Sequence, residues 1–228
     1  MKLIVIEGVD GSGKSTQIKL LRDFFTGSNH RCEYLHFPRT DAPFFGELIA
    51  RFLRGEFGSL NEVDPYLVAL LYAGDRKDAA PTISEWLRQG IFVLLDRYTY
   101  SNIAYQCAKI KDPASREALR RWILALEFRH FGIPEPELSI FLDVPAAFTE
   151  HKLTSLRNGT DRSYLDGSRD IHEENLLFQK RVRDIYIDSA LTDSRLEVIN
   201  CSDPDGEMMP AEEISGMIVK IIRERKLI

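Results

Sequence analysis

The glycine-rich segment near the start of the chain carries residues that together could bind phosphate. It reads G-V-D-G-S-G-K-S from Gly8 to Ser15 and matches the pattern G-x-x-x-x-G-K-[ST]. Glycines let successive backbone N–H groups close around an anion, Lys14 adds a full positive charge, and the Ser15 hydroxyl can ligate Mg²⁺. Such a string can also arise by chance in a glycine-rich turn. We predict that the segment binds ATP through nine residues: Gly8, Val9, Asp10, Gly11, Ser12, Gly13, Lys14, Ser15 and Thr16.

The flanks of this loop have the periodicity that phosphate binding requires. Residues 3–6 form a short apolar run typical of a buried strand, and Ile18, Leu21 and Phe25 recur at helical spacing after the loop. A phosphate held between them would lie at a helix N-terminus, where the helix dipole favours negative charge. The flanks therefore favour a phosphate-binding loop over a chance match.

Further apolar runs alternate with helical patterns along the chain. The runs at 33–37, 91–95, 138–142 and 196–199 predict strands, and near-continuous apolar strands separated by helices indicate a parallel sheet covered on both faces. We predict an α/β protein, a three-layer P-loop NTPase fold with a five-stranded parallel sheet. No linker divides residues 1–228, so we expect one domain. Within the long helical pattern at 64–89, Pro81 predicts a break or a new first turn.

Charged residues follow the predicted strands, at the edge where parallel α/β sheets bind ligands. Asp96 comes directly after the strand at 91–95, where it could ligate Mg²⁺ together with Ser15, or cap the next helix. Arg39 and Arg97 also follow strands, and an arginine fork can hold a second phosphate in a bidentate manner. Ordinary surface salt bridges would explain the same arginines.

Two other groups of residues could complete a phosphotransfer site. Tyr72 and Arg76 lie one helical turn apart and could grip a planar base from face and edge, although the position of Tyr72 also fits burial in the core. Residues 157–170 are polar and carry Arg157 and Arg162, which suits a lid that closes over phosphates and equally suits a solvated loop.

The composition narrows the class of protein. The net charge of −5 over 228 residues argues against a nucleic-acid polymer as the main partner. Three scattered cysteines without a C-x-x-C pair argue against a disulfide framework, and the five histidines have no metal-ligand spacing. The sequence has no apolar run long enough to span a membrane and no signal segment, so we expect a cytoplasmic protein.

Taken together, these motifs resemble the thymidylate kinase family over nearly the whole chain. The resemblance rests on four strings and a C-terminal group. The strings are I-E-G-V-D-G-S-G-K-S-T (6–16), L-L-Y-A-G-D-R (70–76), D-R-Y-T-Y-S-N-I-A-Y-Q (96–106) and P-E-L-S-I-F-L-D-V-P (136–145). The group comprises D-R, I-H-E and F-Q-K-R-V-R-D-I-Y within 161–186. The second and third strings are specific, because generic phosphate-loop proteins lack them.

The resemblance implies transfer of the ATP γ-phosphoryl group to dTMP, with Mg²⁺ as cofactor, by a homodimer. It implies that Asp10 approaches the sugar 3′-hydroxyl, that Tyr72 stacks on thymine and that Tyr105 disfavours a 2′-hydroxyl. The phosphate loop lacks the arginine that some members place there, so this chain resembles the branch that supplies it from the lid. The implied dTMP-binding residues are Asp10, Arg39, Tyr72, Arg76, Arg97, Ser101, Asn102, Tyr105 and Gln106, and the implied catalytic residues are Lys14, Asp10, Arg97, Arg157 and Arg162.

Two other kinds of protein would fit many of the same residues. A kinase of the same fold could act on another nucleotide or on a deoxynucleoside, although Arg39 and Arg97 favour an acceptor that already carries a phosphate. A regulatory nucleotide switch would also use the phosphate loop. The sequence has no guanine-reading N-K-x-D string, and a switch gives no reason for the Tyr72 and Arg76 pair.

Overall fold

The predicted strands form one parallel sheet in the computed structural model, which describes residues 2–60, 62–154 and 176–228. In chain order the strands are β1 (Leu3–Glu7), β2 (Cys32–His36), β3 (Phe92–Asp96), β4 (Leu138–Asp143) and β5 (Leu196–Asn200). Their order across the sheet is β2-β3-β1-β4-β5. The chain thus leaves β1 toward one side of the sheet and passes to the other side at β4, and such a reversal is where open α/β sheets bind ligands.

Helices fill the connections between the strands. The phosphate loop leads into the first of them, and the longest, of 24 residues, lies between β2 and β3. The helices are α1 (Lys14–Gly27), α2 (Phe45–Leu53), α3 (Pro65–Arg88), α4 (Thr99–Cys107), α5 (Pro113–Leu124), the π-helix (Ala125–His130), α6 (Ala146–Thr154), α7 (Leu176–Thr192) and α8 (Ala211–Glu224).

Alternate residues of the central strands pack into two separate hydrophobic clusters. On β1, Ile4 and Ile6 join a large cluster that includes residues of α1, α7 and α8, whereas Leu3 and Val5 join a smaller cluster with residues of α3. Because successive side chains of a strand point to opposite faces, these clusters cover the two faces of the sheet. This confirms the prediction of a parallel sheet covered on both faces, and it explains why the strands are apolar without alternation.

The prediction of a break at Pro81 was wrong, because α3 continues through it. A proline in a helix interior removes one backbone donor and costs about 3 kcal/mol. Its neighbours Ala79, Ala80 and Ile83 are buried in the smaller cluster. We attribute the continuity of α3 to this packing, which outweighs the local cost.

The helical segment between α4 and β4 has two parts. The first part is α5, and the six residues after it form the π-helix, which is wider than an α-helix, occurs mostly as a single turn and is frequent at functional sites. The π-helix contains Glu127, whose side chain is fully buried. Among the helices in the described ranges, none is long and apolar enough to cross a membrane.

Candidate active site

The phosphate loop joins β1 to α1 and has the backbone geometry that anion binding needs. Gly13 lies at φ 83°, a left-handed conformation that favours glycine, and a Cβ added to Gly8 would come within 2.3 Å of the Ser12 hydroxyl oxygen. Lys14 begins α1 and folds back over the loop, where its Nζ donates to the carbonyl oxygens of Gly8 (3.3 Å) and Val9 (3.0 Å). A bound phosphate could replace these two acceptors.

Lys14 is buried, and this changes its titration. Burial and, to a smaller extent, the nearby positive charge of Arg97 lower the pKa of Lys14 to about 8, against the opposing effects of Asp96 and Asp10. A polyanionic ligand would favour the charged ammonium again. The loop is therefore arranged to gain positive charge when phosphate arrives.

Oxygen ligands suited to Mg²⁺ lie beside the loop. Ser15 is exposed in the first turn of α1, and Asp96 ends β3 with a side chain that is almost fully buried. The Oδ2 atom of Asp96 lies 3.3 Å from Nδ1 of His36, and its buried Oδ1 has no hydrogen-bond partner among the described residues. Burial alone would raise the pKa of Asp96, but the His36 hydrogen bond and the charge of Lys14 outweigh it and lower the pKa, so the carboxylate stays ionised.

These residues fit a magnesium ion. A hydroxyl and one carboxylate are typical of Mg²⁺ sites that use substrate phosphates and water for the remaining positions. In the described part of the chain no three His, Cys, Asp or Glu side chains cluster as a complete metal site. The pair of Ser15 and Asp96 therefore suits a metal that arrives with a nucleotide rather than a resident one.

Arg97 lies next to the loop and bridges several polar groups. Its guanidinium donates from Nη2 to Asp10 Oδ1 (2.6 Å) and to the Tyr105 hydroxyl (3.3 Å), and from Nη1 to Ser101 Oγ (3.2 Å). Its backbone N–H donates to the carbonyl of Ile6 (3.0 Å), which ties the start of the β3–α4 connection to β1. The arginine expected to bind the acceptor phosphate is thus in direct contact with the phosphate loop.

Asp10 is the residue at which the loop and the neighbouring helices meet. Its Oδ2 accepts a hydrogen bond from the Tyr105 hydroxyl (2.7 Å) on α4 and another from Gln179 Nε2 (2.9 Å) on α7. Burial raises the pKa of Tyr105 well above its usual range, so the hydroxyl remains a donor to the Asp10 carboxylate. Three elements therefore fix the position of this carboxylate.

Glu7, the last residue of β1, lies next to the cluster of Arg97 and Asp10 and stabilises the residues around it. It was not identified from the sequence. Its fully buried carboxylate accepts from the Tyr98 backbone N–H (3.0 Å), from Ser101 Oγ (2.6 Å) and from the Tyr186 hydroxyl (2.9 Å). Burial raises the pKa of Glu7, while the Ser101 hydrogen bond and the charge of Arg97 act in the opposite direction. An acidic residue at the end of an apolar strand was the sequence signal for it.

Arg39 is held by α3. Its Nε donates to Asp75 Oδ1 (2.8 Å) and its Nη2 donates to Asp78 Oδ2 (2.7 Å). Asp75 is fully buried and also accepts from the Arg39 backbone N–H (2.9 Å). The segment after β2 is therefore fixed to α3, and the predicted role of Arg39 in phosphate binding stays a prediction.

Arg76 lies deeper than the sequence suggested. Its side chain is almost fully buried and makes a bidentate pair with Glu127, with Nε at 2.6 Å and Nη2 at 2.7 Å from the two carboxylate oxygens. Asn102 donates to the same carboxylate (2.9 Å), and Tyr72 is half-buried against the larger hydrophobic cluster. The structure brings Arg76 and Asn102 together through Glu127, which was not predicted from the sequence.

Other predicted residues lie on the same elements or outside the described residues. Gln106 follows Asn102 by one turn of α4 and is buried, with its Oε1 lacking a partner among the described residues. The predicted lid at 157–170, with Arg157 and Arg162, lies outside the residues that the structure describes.

Comparison with known proteins identifies the family to which this site belongs. A family model described as thymidylate kinase matches residues 6–210. The chain belongs to the thymidylate kinase family. This confirms the resemblance of the motifs, and the family's reaction is the phosphorylation of dTMP by ATP. A kinase for another acceptor is not favoured.

Individual thymidylate kinases resemble this chain over most of its length. One from Mycobacterium tuberculosis is 33% identical over 188 residues, which cover 82% of this chain and 85% of that protein. One from Arabidopsis thaliana is 30% identical over 223 residues, which cover 98% of this chain and 71% of that protein. A solved thymidylate kinase structure from Candida albicans superposes with a TM-score of 0.72 at 25% identity and covers 99% of this chain and 92% of the other.

Proposed function

We propose that the site described above transfers the ATP γ-phosphoryl group to the 5′-phosphate of dTMP and releases dTDP and ADP. The observation that supports this most directly is the contact between Asp10 of the phosphate loop and Arg97 with Tyr105. It joins a loop suited to a donor triphosphate to an arginine suited to an acceptor phosphate. Phosphoryl transfer needs these two groups next to each other and in line.

The reaction needs no covalent intermediate with the protein. An anionic oxygen of the acceptor phosphate attacks the γ-phosphorus while the bond to the β–γ bridging oxygen breaks, and ADP leaves with that electron pair. Because the nucleophile is already ionised, no base has to remove a proton, and the protein contributes positioning and positive charge. Mg²⁺, held through Ser15 and Asp96, would neutralise charge on the phosphate oxygens.

We assign the roles of the residues as follows. The loop from Gly8 to Thr16 holds the ATP phosphates, and Lys14 exchanges its two loop carbonyls for phosphate oxygens. Arg97 and Arg39 hold the acceptor phosphate, and Asp10 orients the sugar through its 3′-hydroxyl. The base and sugar contact Tyr72, Arg76, Ser101, Asn102, Tyr105 and Gln106, and the lid supplies Arg157 and Arg162.

We further propose that residues 1–228 act as one catalytic domain, in the cytoplasm, as a homodimer without a nucleic-acid or membrane partner. The three cysteines are free thiols, which suits a reducing compartment. Leu67 and Leu70 on α3 are 61% and 39% exposed and provide an apolar surface suited to a second copy of the chain.

A coupled assay of ADP release with ATP and Mg²⁺ tests this function. The acceptors dTMP, dUMP, dCMP, dGMP, thymidine and none should be compared in parallel, and the product identified. We expect dTMP-dependent release with dTDP as product. Release with thymidine alone would indicate a nucleoside kinase, and release without any acceptor would indicate an ATPase or a switch.

A variant at Lys14 provides the matched control for that assay. Lys14→Ala should lower kcat by at least about a hundredfold, because removing one preorganised charge from phosphoryl transfer removes several kcal/mol of transition-state stabilisation. Near-normal turnover by folded Lys14→Ala protein would contradict the proposed role of the loop.

A further inference from the structure

Three oxygen atoms at the end of β1 form a closed triangle of short contacts. Ser101 Oγ lies 2.6 Å from Oε2 of Glu7, and the Tyr186 hydroxyl oxygen lies 2.9 Å from the same Oε2. The two hydroxyl oxygens lie 2.7 Å from each other, and all three side chains are buried. Each of these O–O distances is that of a hydrogen bond, so each of the three contacts needs a hydrogen.

An ionised Glu7 would leave one side of this triangle without a hydrogen. Ser101 and Tyr186 bring one hydroxyl hydrogen each, and an ionised carboxylate only accepts. Two hydrogens cannot serve three contacts, so two oxygens would face each other with lone pairs alone, in a buried site where unpaired polar groups are costly. A proton on Glu7 Oε2 supplies the third hydrogen.

The two oxygens of Glu7 differ in the way that a neutral acid requires. Oε1 accepts a hydrogen bond from the Tyr98 backbone N–H (3.0 Å), as a carbonyl oxygen does. Oε2 has both hydroxyl contacts, and the hydroxyl of a protonated carboxyl group can donate one bond and accept another. Burial raises the pKa of Glu7, which agrees with a proton at this position.

Glu127, which is also fully buried, has the opposite balance. Its oxygens accept two hydrogen bonds from the Arg76 guanidinium, one from Thr99 Oγ1 and one from Asn102 Nδ2. In each of these contacts the partner supplies the hydrogen, and the bidentate contact with a guanidinium is that of an ion pair. The contacts therefore assign a negative charge to Glu127 and a proton to Glu7.

The charged and titratable side chains that face Glu7 come from several elements. They are Arg97 after β3, Lys14 of α1, Tyr100 of α4 and Tyr186 of α7. Arg97 and Lys14 are the two positive charges that we assign to phosphate binding. The charge state of Glu7 therefore bears on how strongly the site attracts a phosphate.

We propose that Glu7 carries a proton at neutral pH and thereby keeps the charge of Arg97 available for the acceptor phosphate. Arg97 already donates to the Asp10 carboxylate (2.6 Å). A further carboxylate charge buried beside it would repel an incoming phosphate dianion, whereas a neutral acid adds no charge and still holds Ser101. Glu7 is a positioning residue, because it acts through its neighbours. This role deepens the proposed function and rests on it.

The ¹³C signal of the Glu7 carboxyl group in the wild-type protein tests the proposal. It can be assigned through bonds from the Glu7 backbone, so no variant has to fold. We expect the chemical shift of a neutral acid at pH 7, whereas the Glu127 carboxyl carbon, the control in the same sample, should have the shift of a carboxylate. A carboxylate shift for Glu7 at pH 7 would overturn the proposal. A neutral-acid shift for Glu127 would also overturn it, because counting donors would then not predict the charge.

An alkaline titration tests the effect on the acceptor phosphate. Over the pH range in which the Glu7 signal moves to that of a carboxylate, the Kd for dTMP should rise at least about fivefold in wild-type protein relative to Glu7→Gln, which keeps a neutral side chain of similar shape. Lys14 titrates in both proteins, so the ratio of the two Kd values removes its contribution. Thymidine has no phosphate and should show no such difference. A constant ratio for dTMP while Glu7 ionises would show that the proposal is wrong.

The same substitution at Glu127 separates loss of charge from loss of a buried side chain. Glu127→Gln should lower the melting temperature more than Glu7→Gln, because it leaves the buried charge of Arg76 unpaired. Equal losses would count against the assigned charges. Wild-type protein that releases no ADP with dTMP would instead refute the proposed function, and the Glu7 signal needs no turnover, so the two failures are distinguishable.

Discussion

At the scale of single residues, Arg97 has a constrained backbone conformation beside the phosphate loop. Its φ of 65° lies in the left-handed region, which residues with a side chain rarely adopt and which costs about 1–3 kcal/mol. Its backbone N–H bonds to Ile6 and its guanidinium bonds to Asp10, and these contacts hold the conformation. The backbone strain at Arg97 thus lies where the acceptor phosphate is proposed to bind.

The titration of Lys14 gives a prediction that does not depend on turnover. The free protein has a Lys14 pKa of about 8, lowered by burial, and bound phosphates should raise it, so nucleotide binding above that pH should take up protons. We expect uptake of more than half a proton at about pH 8.5 and none near pH 6.5, where Lys14 is already charged.

Calorimetric titration with ADP and Mg²⁺ in buffers of different ionisation enthalpy measures this uptake. The variant Lys14→Arg is the control, because arginine remains charged at both pH values and should show no uptake. Equal uptake by Lys14→Arg and wild-type protein would assign the proton to another group.

At the scale of secondary-structure elements, α2 and α3 are joined by a close contact at Gly74. A Cβ added there would lie 2.2 Å from Cε1 of Phe45, the first residue of α2. Only a residue without a side chain allows this approach. Since Asp75 follows Gly74 and binds Arg39, the contact also sets the distance between the segment after β2 and α3.

Substitution of Gly74 should therefore affect both stability and acceptor binding. Gly74→Ala forces Phe45 away and should destabilise the protein by about 1–3 kcal/mol, as overpacking of a filled contact does. It should also raise the KM for dTMP more than the KM for ATP. Urea denaturation and steady-state kinetics with each substrate varied measure the two effects.

A second helical glycine provides the comparison. Gly216 in α8 is exposed, and a Cβ added there would meet nothing within 4 Å, so Gly216→Ala should stabilise the protein by about 0.5–1 kcal/mol without changing either KM. Similar effects of the two alanines would show that the Phe45 contact does not matter.

At the scale of the whole molecule, the proposed dimer can be tested through the exposed leucines of α3. Leu67→Glu places a charge in the apolar surface and should convert a dimer into a monomer in sedimentation or light-scattering measurements. Leu191→Glu is the control, because Leu191 on α7 is 81% exposed and should tolerate the same change. A dimer that survives Leu67→Glu would place the interface elsewhere.

The sheet and the phosphate loop could be predicted from the sequence because their signals are local. Each signal lies within a few consecutive residues of the sequence. One is the apolar run of β3 that ends in Asp96, and the other is the spacing of Gly8, Gly13 and Lys14. The continuity of α3 through Pro81 could not be predicted from the sequence, because it depends on packing against the sheet.

The supporting carboxylates could not be predicted because their partners are distant in sequence. Glu127 is 51 residues from Arg76, and Glu7 is 179 residues from Tyr186. Each partner pair exists only once the sheet order has brought the elements together. Glu127 also lies in the π-helix rather than in a continuation of α5.

The position of Asp10 has an evolutionary consequence. By sequence it belongs to the phosphate loop, which we propose receives the phosphoryl donor, but by contact it belongs equally to the proposed acceptor side, through Arg97, Tyr105 and Gln179. A mutation of Asp10 that improves the binding of one substrate would therefore also change the binding of the other. A lineage could change its choice of acceptor gradually on α4, whereas transplanting the loop from a distant kinase would also remove the anion that Arg97 needs.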